Sequence, residues 1–574
     1  GLNKKNSEVT QKEEAPIISE NNFDLEKEYE KLPFKLNNLN DLIKLGKLYD
    51  EENPHQYGIN MKRLNFISDS LENLVNISAS IDSSSGLIGL KVTFLLFLLV
   101  VVSLSWLLPR KPRLYLLFAS SIIFYGFWRF EFVLLMLASV VIDYYLAIGI
   151  YKAKTKKIKK QLLISSLFIN LGLLVLFKYS SFIAFNLVDL FGIFGVIVLV
   201  DPFFLDIVLP LGISFYTFQT ISYVVDVYRG FIKPEREFVL FATYVTFFPQ
   251  LVAGPILRAK EVIPQLNIKP IFNIENLRVG FRRVIIGLFI KVVLADNIAP
   301  LVDAGFASDI STLSAFDVWT LAFLFGFQIY FDFSAYSHIA IGCARLMGIK
   351  FPENFYFPYM SFNPKQFWSR WHISLSSWIR DYLYLPLTRQ KVHDKSTGGL
   401  DEVVVTRPSQ NKITYALFVT WAIMGLWHGA NWTFVLWGLY HALVIYIYRV
   451  ILPWVDNIPS RVKRVFGAGI TLPVMMLGWI PFRADNVDIS VEMFLKVFNP
   501  SMYSWLGLRE NTYIVAAVLV IGSIVVYNLH GYFKRLELKK PSYAVVFETV
   551  LLSVLLPMVY IFLRPISQFI YFQF

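Results

Sequence analysis

The chain has 574 residues, 55% of them hydrophobic and only 17% charged, with a mean hydropathy of +0.52. A soluble protein of this size cannot bury so much apolar surface, so the composition excludes a water-soluble globule, and the long apolar runs exclude a barrel of alternating strands. The net charge of +12 is what loop lysines and arginines give a membrane protein, not a nucleic-acid surface, and the single cysteine, Cys343, excludes an internal disulfide framework.

Residues 1–86 differ from the rest. They are polar and acidic, with 10 Lys/Arg against 15 Asp/Glu. The chain opens on Gly1, as a processed or partial chain would, and no basic-then-apolar secretory pattern precedes this segment. Residues 1–22 read as disordered, 38–48 and 64–81 as short amphipathic helices, and Asp82-Ser83-Ser84-Ser85-Gly86 as a linker. No catalytic or phosphate-binding motif is visible here, so the chain divides into 1–86, of no assigned role, and a membrane domain over 87–574.

The first three expected spans are Leu87–Leu108, Leu114–Phe130 and Phe132–Ile150. Basic clusters follow the first (Arg110, Lys111, Arg113) and the third (six lysines from Lys152 to Lys160). Both then lie on one side, the cytoplasmic one by the positive-inside rule, which requires the start of the first span to lie outside. Later apolar runs are 162–177, 181–200, 203–220, 238–252, 284–299, 315–330 and 334–347. After a polar break come 413–424, 432–450, 468–480, 513–527 and 543–562. The expectation is an all-α polytopic protein of roughly 11 spanning helices with re-entrant or interfacial ones, since runs of about 15 residues cross poorly. Phe248–Ile256, interrupted by Pro249, Gly254 and Pro255, is expected to bend within the membrane.

Three stretches carry polar chemistry into the apolar regions. Asp332 is an intramembrane acid, ordinarily paired with a neighbouring helix. Asn363-Pro364 reads as a helix start, and Phe367, Trp368, Trp371, Leu375, Trp378, Ile379 and Tyr382 then fall on one face, which predicts an amphipathic interfacial helix with His372 aimed inward. His428, in GLWHGANW (425–432), is a titratable group in the apolar region 413–450. Either histidine alone would ordinarily be a packed one. Two together suggest a reaction site, in which an imidazole takes a proton from a hydroxyl during transfer of an activated acyl group. No HExxH spacing or further ligand set points to metal, and no nucleophile elbow is present.

Five segments give the chain a resemblance to the membrane-bound O-acyltransferase family, in particular its alginate O-acetyltransferase branch. They are LPLGISFYTFQTISYVVDVYRG (209–230), FFPQLVAGPILR (247–258), YFDFSAYSHIAIGCARLMGIKFPENFYFPY (330–359), FWSRWHISLSSWIRDYLYLPL (367–387) and GLWHGANWTFVLWG (425–438). The resemblance implies an O-acetyltransferase of the cell inner membrane. It would move acetyl groups from a cytoplasmic donor, acetyl-CoA, to hydroxyls of an extracytoplasmic, alginate-like polysaccharide, with extracytoplasmic partner proteins and no bound cofactor or metal. D-alanyl transfer to teichoic acid is the nearest alternative, and a proton-coupled transporter or channel a more distant one. His428 would be the principal catalytic residue and act as general base, and His372 would orient or polarise the thioester. Trp371, Trp427, Asn431 and Asp332 are expected to line the tunnel, Asn431 by sharing the His428 helix face if the helix runs past Gly429. Ala335 and His338 stand where the family motif has Gly and Asp, and His338 has no assigned role.

Overall fold

The computed structural model describes residues 86–196, 207–388 and 408–563, with side chains from residue 93. The disordered stretch, short helices and linker expected over residues 1–85 lie outside the described residues. The chain divides between Leu96 and Phe97 into two units, and both histidines belong to the second.

The described residues form helices and no strands. The helices are α1 (Gly86–Leu107), α2 (Arg110–Gly126), α3 (Glu131–Lys152), α4 (Lys156–Leu174), α5 (Ser180–Ile193), α6 (Ile213–Arg229), α7 (Phe238–Thr246) and α8 (Phe248–Leu251). Then come α9 (Ala259–Leu266), α10 (Ile274–Phe289), α11 (Asp296–Phe306), α12 (Ala315–Leu346), α13 (Pro364–Trp368), α14 (Ile373–Ile379) and α15 (Leu385–Leu387). The last are α16 (Gln410–His428), α17 (Trp432–Asp456), α18 (Ser460–Leu477), α19 (Ile480–Arg483), α20 (Val487–Phe498), α21 (Glu510–Lys539) and α22 (Pro541–Ile561).

Among the described residues, eight helices are long and apolar enough to cross a membrane; the expectation of roughly eleven is for the whole chain. Two pairs of apolar runs fuse. The runs 162–177 and 181–200 are not separate spans, because α4 and α5 form one 38-residue helix through a π turn, Val175–Tyr179. The runs 315–330 and 334–347 are both parts of α12, 32 residues long. Asp332 and Ser334 do not interrupt that helix. α12 starts from a capping box, Ser314 with Asp317, which satisfies two end donors, and it is the most enclosed of the eight.

The start of α2 meets the turns before α7, after α9 and after α12. Arg110 bonds the side chains of Glu237 and Asn267. Arg113 donates to the carbonyls of Ile268 (3.1 Å) and Met347 (3.0 Å). The Pro/Gly stretch bends as expected: α7 stops at Thr246, and α8 lasts four residues. Its continuation reaches the second histidine's segment, where the Ile256 N–H donates to Ser374 Oγ at 3.0 Å.

The larger core cluster is rich in aromatic side chains as well as aliphatic ones. Trp368, Trp371, Trp421, Trp427, Trp437 and Trp479 belong to one buried cluster drawn from α13, the α13–α14 turn, α16, α17 and the α18–α19 turn. Both histidines lie against this cluster.

Candidate functional site: two histidines across one indole

His428 is the last residue of α16 and is 5% exposed. The helix stops there because Gly429 turns to extended backbone (φ −158°, ψ 150°). Asn431 is therefore not on the His428 helix. It is the N-cap of α17, its side chain accepting from the Thr433 N–H at 3.1 Å, and this corrects the shared-face expectation. The α16–α17 hairpin is tight. A Cβ on Gly425 would overlap the Phe434 carbonyl oxygen, and one on Gly438 the Trp421 carbonyl oxygen. Only glycine lets the two backbones approach so closely, and that approach sets where His428 emerges.

His372 lies on a different foundation from the one its spacing predicts. The run 364–382 is not one helix. α13 ends at Trp368, and His372 takes a left-handed conformation (φ 42°, ψ 56°) as the N-cap of α14. A non-glycine residue in this region is strained and needs surrounding contacts to hold it. Asn354 supplies them. Its Oδ1 accepts from the Ser374 N–H (3.2 Å), Ser374 Oγ (2.8 Å) and His372 Nδ1 (3.1 Å), while its carbonyl accepts from the Ile373 N–H (2.8 Å). The inward aim of His372 is as expected: it is 1% exposed.

The backbone donor at Ser374 requires Asn354 Oδ1, not Nδ2, at this position, and Nδ2 donates instead to Ser337 Oγ at 3.1 Å. An oxygen there makes His372 Nδ1 the protonated nitrogen. Nε2 then carries a lone pair, and it is buried with no hydrogen-bond partner. The segment is not one of the spanning helices. Burial pushes its imidazole down to about 3, so the ring is neutral near pH 7. A neutral imidazole of this tautomer accepts a hydrogen bond and cannot donate one to a thioester carbonyl, which changes the polarising role expected for it.

Trp427 joins the two histidines. Its ring centroid is 5.0 Å from that of His428 and 6.3 Å from that of His372. Phe215 flanks both His372 (6.5 Å) and Trp427 (5.5 Å). Phe333 meets His372 edge-on at 4.6 Å, and Trp437 and Phe482 enclose His428 at 4.9 and 5.2 Å. The indole N–H groups of Trp427 and Trp437 are buried without partners, so the walls offer donors as well as apolar faces. The segment bearing His372 is anchored through α14 and the turn after it. Trp378 stacks on Phe218 at 3.9 Å and donates to its carbonyl, and Tyr382 donates to Asp226 Oδ1.

The other expected lining residues divide. Trp371 is buried against Phe367 (5.7 Å) and Trp479 (4.7 Å), in the same aromatic cluster. Asp332 forms an ion pair with Lys291 (2.6 Å), which also meets Asp296 (2.9 Å). His338 Nδ1 lies 3.2 Å from an Arg283 nitrogen, and since arginine only donates, His338 accepts there. Among the described residues, no three His, Cys, Asp or Glu side chains gather as metal ligands would. Sequence reasoning missed Asn354 and Ser374, which have no local signature. It also missed Lys178 and Tyr179. Lys178 did carry a signal, as a charge inside an apolar run.

The pattern of the membrane-bound O-acyltransferase family matches residues 235–399. The chain is 36% identical over 453 residues to the probable alginate O-acetylase AlgI of Azotobacter vinelandii, covering 77% of this chain and 85% of that protein. It is 34% identical to the peptidoglycan O-acetyltransferase of Helicobacter pylori, over 67% of this chain and 73% of that one. Similarity to the teichoic acid D-alanyltransferase of Streptococcus thermophilus is partial, 32% over 41% of this chain and 56% of that protein.

Proposed function

The chain belongs to the membrane-bound O-acyltransferase family, a multi-pass membrane O-acyltransferase, and from that premise we propose that it acetylates hydroxyls of an extracytoplasmic, alginate-like polysaccharide, with His428 as general base. The donor is acetyl-CoA reaching the site from the cytoplasmic side of the plasma membrane. Extracytoplasmic partner proteins receive or present the polymer. The observation that carries the reading is the pair of buried histidines flanking Trp427, one of them with an unpartnered lone pair.

The chemistry balances with these groups. The acceptor oxygen attacks the thioester carbonyl carbon while His428 takes the hydroxyl proton. The tetrahedral intermediate collapses, the C–S bond breaks, and the imidazolium returns its proton to the departing sulfur. An ester and a free thiol result. Such base catalysis is worth about 10²–10⁴-fold. His372 orients the acceptor by taking a hydrogen bond at Nε2, in place of polarising the thioester. The aromatic walls exclude water, which would otherwise hydrolyse the thioester.

Acetylation is favoured over D-alanyl transfer because the relatives matched over most of the chain are named as acetyl-transfer proteins. The test supplies radiolabelled acetyl-CoA to membranes holding the enzyme and its partners, with a polyuronate or a peptidoglycan fragment as acceptor. Label in the polyuronate, absent without the enzyme, is expected. Label only in peptidoglycan overturns the acceptor. No label with either, alongside transfer from a D-alanyl carrier protein, overturns the acetyl reading.

A further inference from the structure

A helix leaves its last four carbonyls without intrahelical donors. The helix that carries His428 ends inside the core, so these oxygens need partners, and all four have them. The Gly425 carbonyl takes the Gly429 N–H at 3.4 Å. The Leu426 carbonyl takes the Tyr179 hydroxyl at 2.7 Å. The carbonyls of Trp427 and His428 both take the Lys178 ammonium, at 2.6 and 3.0 Å. Two adjacent residues, roughly 250 positions away in sequence, thus complete the terminus.

The two donors come from an unusual piece of backbone. Lys178 and Tyr179 close the π turn Val175–Tyr179 between α4 and α5. A π turn is wider than an α turn, so neighbouring side chains fan less, and such turns concentrate at functional sites. Among the described residues, no carboxylate lies within ion-pair distance of Lys178. Its Nζ is set against carbonyls at the negative end of a helix, where a cationic donor is favoured. Its Nζ also stands 6.0 Å from the centroid of the Trp427 ring, the indole between the two histidines. Further along the same helix, Asn186 Oδ1 accepts from the Trp432 indole N–H at 2.8 Å. Both sides of the turn Gly429–Asn431 are therefore held by one helix.

From this geometry we propose that Lys178, assisted by Tyr179, is the positioning residue of the catalytic turn. It fixes the C-terminal end of α16, and through it the direction of the His428 ring and the Trp427 wall. The proposal rests on the reading of His428 as the base. A general base must meet its proton within hydrogen-bond reach, and misplacement by about 1 Å can cost on the order of 10²-fold. Lys178 bonds the backbone of the turn and not the His428 imidazole. Its effect is on kcat.

The test is acetyl transfer from radiolabelled acetyl-CoA to a polyuronate, with rates expressed per folded enzyme in the membrane. Four variants are compared: Lys178→Met, Lys178→Arg, Tyr179→Phe and His428→Gln. Lys178→Met is expected to lower kcat by about 10²-fold with the acceptor KM nearly unchanged. Lys178→Arg, which keeps a charged donor, should recover part of the loss. Tyr179→Phe removes a single hydroxyl and should lower kcat by about 5-fold, close to one hydrogen bond's worth of alignment. A purely structural lysine would instead reduce the amount of folded enzyme and leave kcat per folded molecule intact, and that result overturns the proposal. If Lys178→Met does not accumulate, Tyr179→Phe decides: an unchanged kcat is a refutation. His428→Gln separates the two readings. Loss of turnover there with normal turnover in the Lys178 and Tyr179 variants refutes the positioning role alone, and normal turnover in His428→Gln refutes the base assignment beneath it.

Discussion

Asn354 fixes the tautomer of His372: its Oδ1, committed as an acceptor by the Ser374 N–H at 3.2 Å, also receives the imidazole Nδ1–H at 3.1 Å. The same oxygen holds His372 in its left-handed conformation at the entry to α14. Replacing Asn354 by Leu would strand the Ser374 N–H and hydroxyl and the His372 Nδ1–H in the core. Each stranded donor costs about 1–3 kcal/mol. Asn354→Leu is expected to lower both the thermal midpoint in detergent and the transfer rate. Asn354→Asp keeps an acceptor oxygen and should retain more of each. Equal behaviour of the two variants would show that the oxygen is not what matters.

The neutral state of His372 has a consequence for pH. Burial lowers its pKa to about 3, so the neutral form holds at every pH above that value. It does not change charge between roughly pH 5 and 8, the range in which an unperturbed histidine titrates. His372→Asn should therefore reduce kcat/KM by a constant factor across that range and leave the profile's shape unaltered. Disappearance of an acidic limb in the variant would mean that His372 is the titrating group.

Gly425 and Gly438 admit no Cβ without displacing backbone. Gly438→Ala should force α16 and α17 apart, at about 1–3 kcal/mol for an overpacked contact. Gly522→Ala is the control, since nothing lies within 4 Å of its added Cβ. In a helix interior that change should stabilise by about 0.5–1 kcal/mol. Thermal unfolding in detergent would compare them, and a Gly438→Ala protein as stable as wild type would contradict the close crossing.

The exposed lysines at the α3–α4 turn should face the cytoplasm. With buried Cys343 first replaced, Lys156→Cys in intact cells is expected to resist an impermeant thiol reagent and to react after the membrane is opened. Rapid labelling in intact cells would invert the assigned topology.

The apolar runs and the two histidines are legible in the sequence because both depend on local composition. An imidazole among aromatic and aliphatic residues stands out whatever the fold. What is not legible depends on distant partners. The run 364–382 has helical spacing throughout, and nothing in it signals the break at His372. The break follows from hydrogen bonds to Asn354, which belongs to another segment. Asn431 falls on α17 rather than α16 because Gly429 ends α16 where the pattern could have continued. Asp332 reads as an acid paired with a neighbouring helix, and it does meet Lys291, but only the fold shows which cation that is and that α12 continues through it. Lys178 is visible as an intramembrane charge, and only the fold shows which carbonyls it meets.

The most direct prediction concerns His428. His428→Ala should abolish transfer while leaving membrane insertion near wild type. Insertion follows summed apolarity, and exchanging an imidazole for a methyl makes the run more apolar. A histidine with a structural role only would behave otherwise. Its loss would strand a buried partner at about 1–3 kcal/mol. Folded protein would then fall along with activity. The two measurements are the acetyl content of the product polymer and the quantity of folded enzyme in the membrane. The expected pair is no acetylation with normal protein, and His372→Ala should give the same pattern with some transfer left, since orientation of the acceptor is lost while the base remains. Retention of normal turnover by His428→Ala would remove the base from the mechanism, and acetylation that falls only in proportion to folded protein would assign His428 to the core.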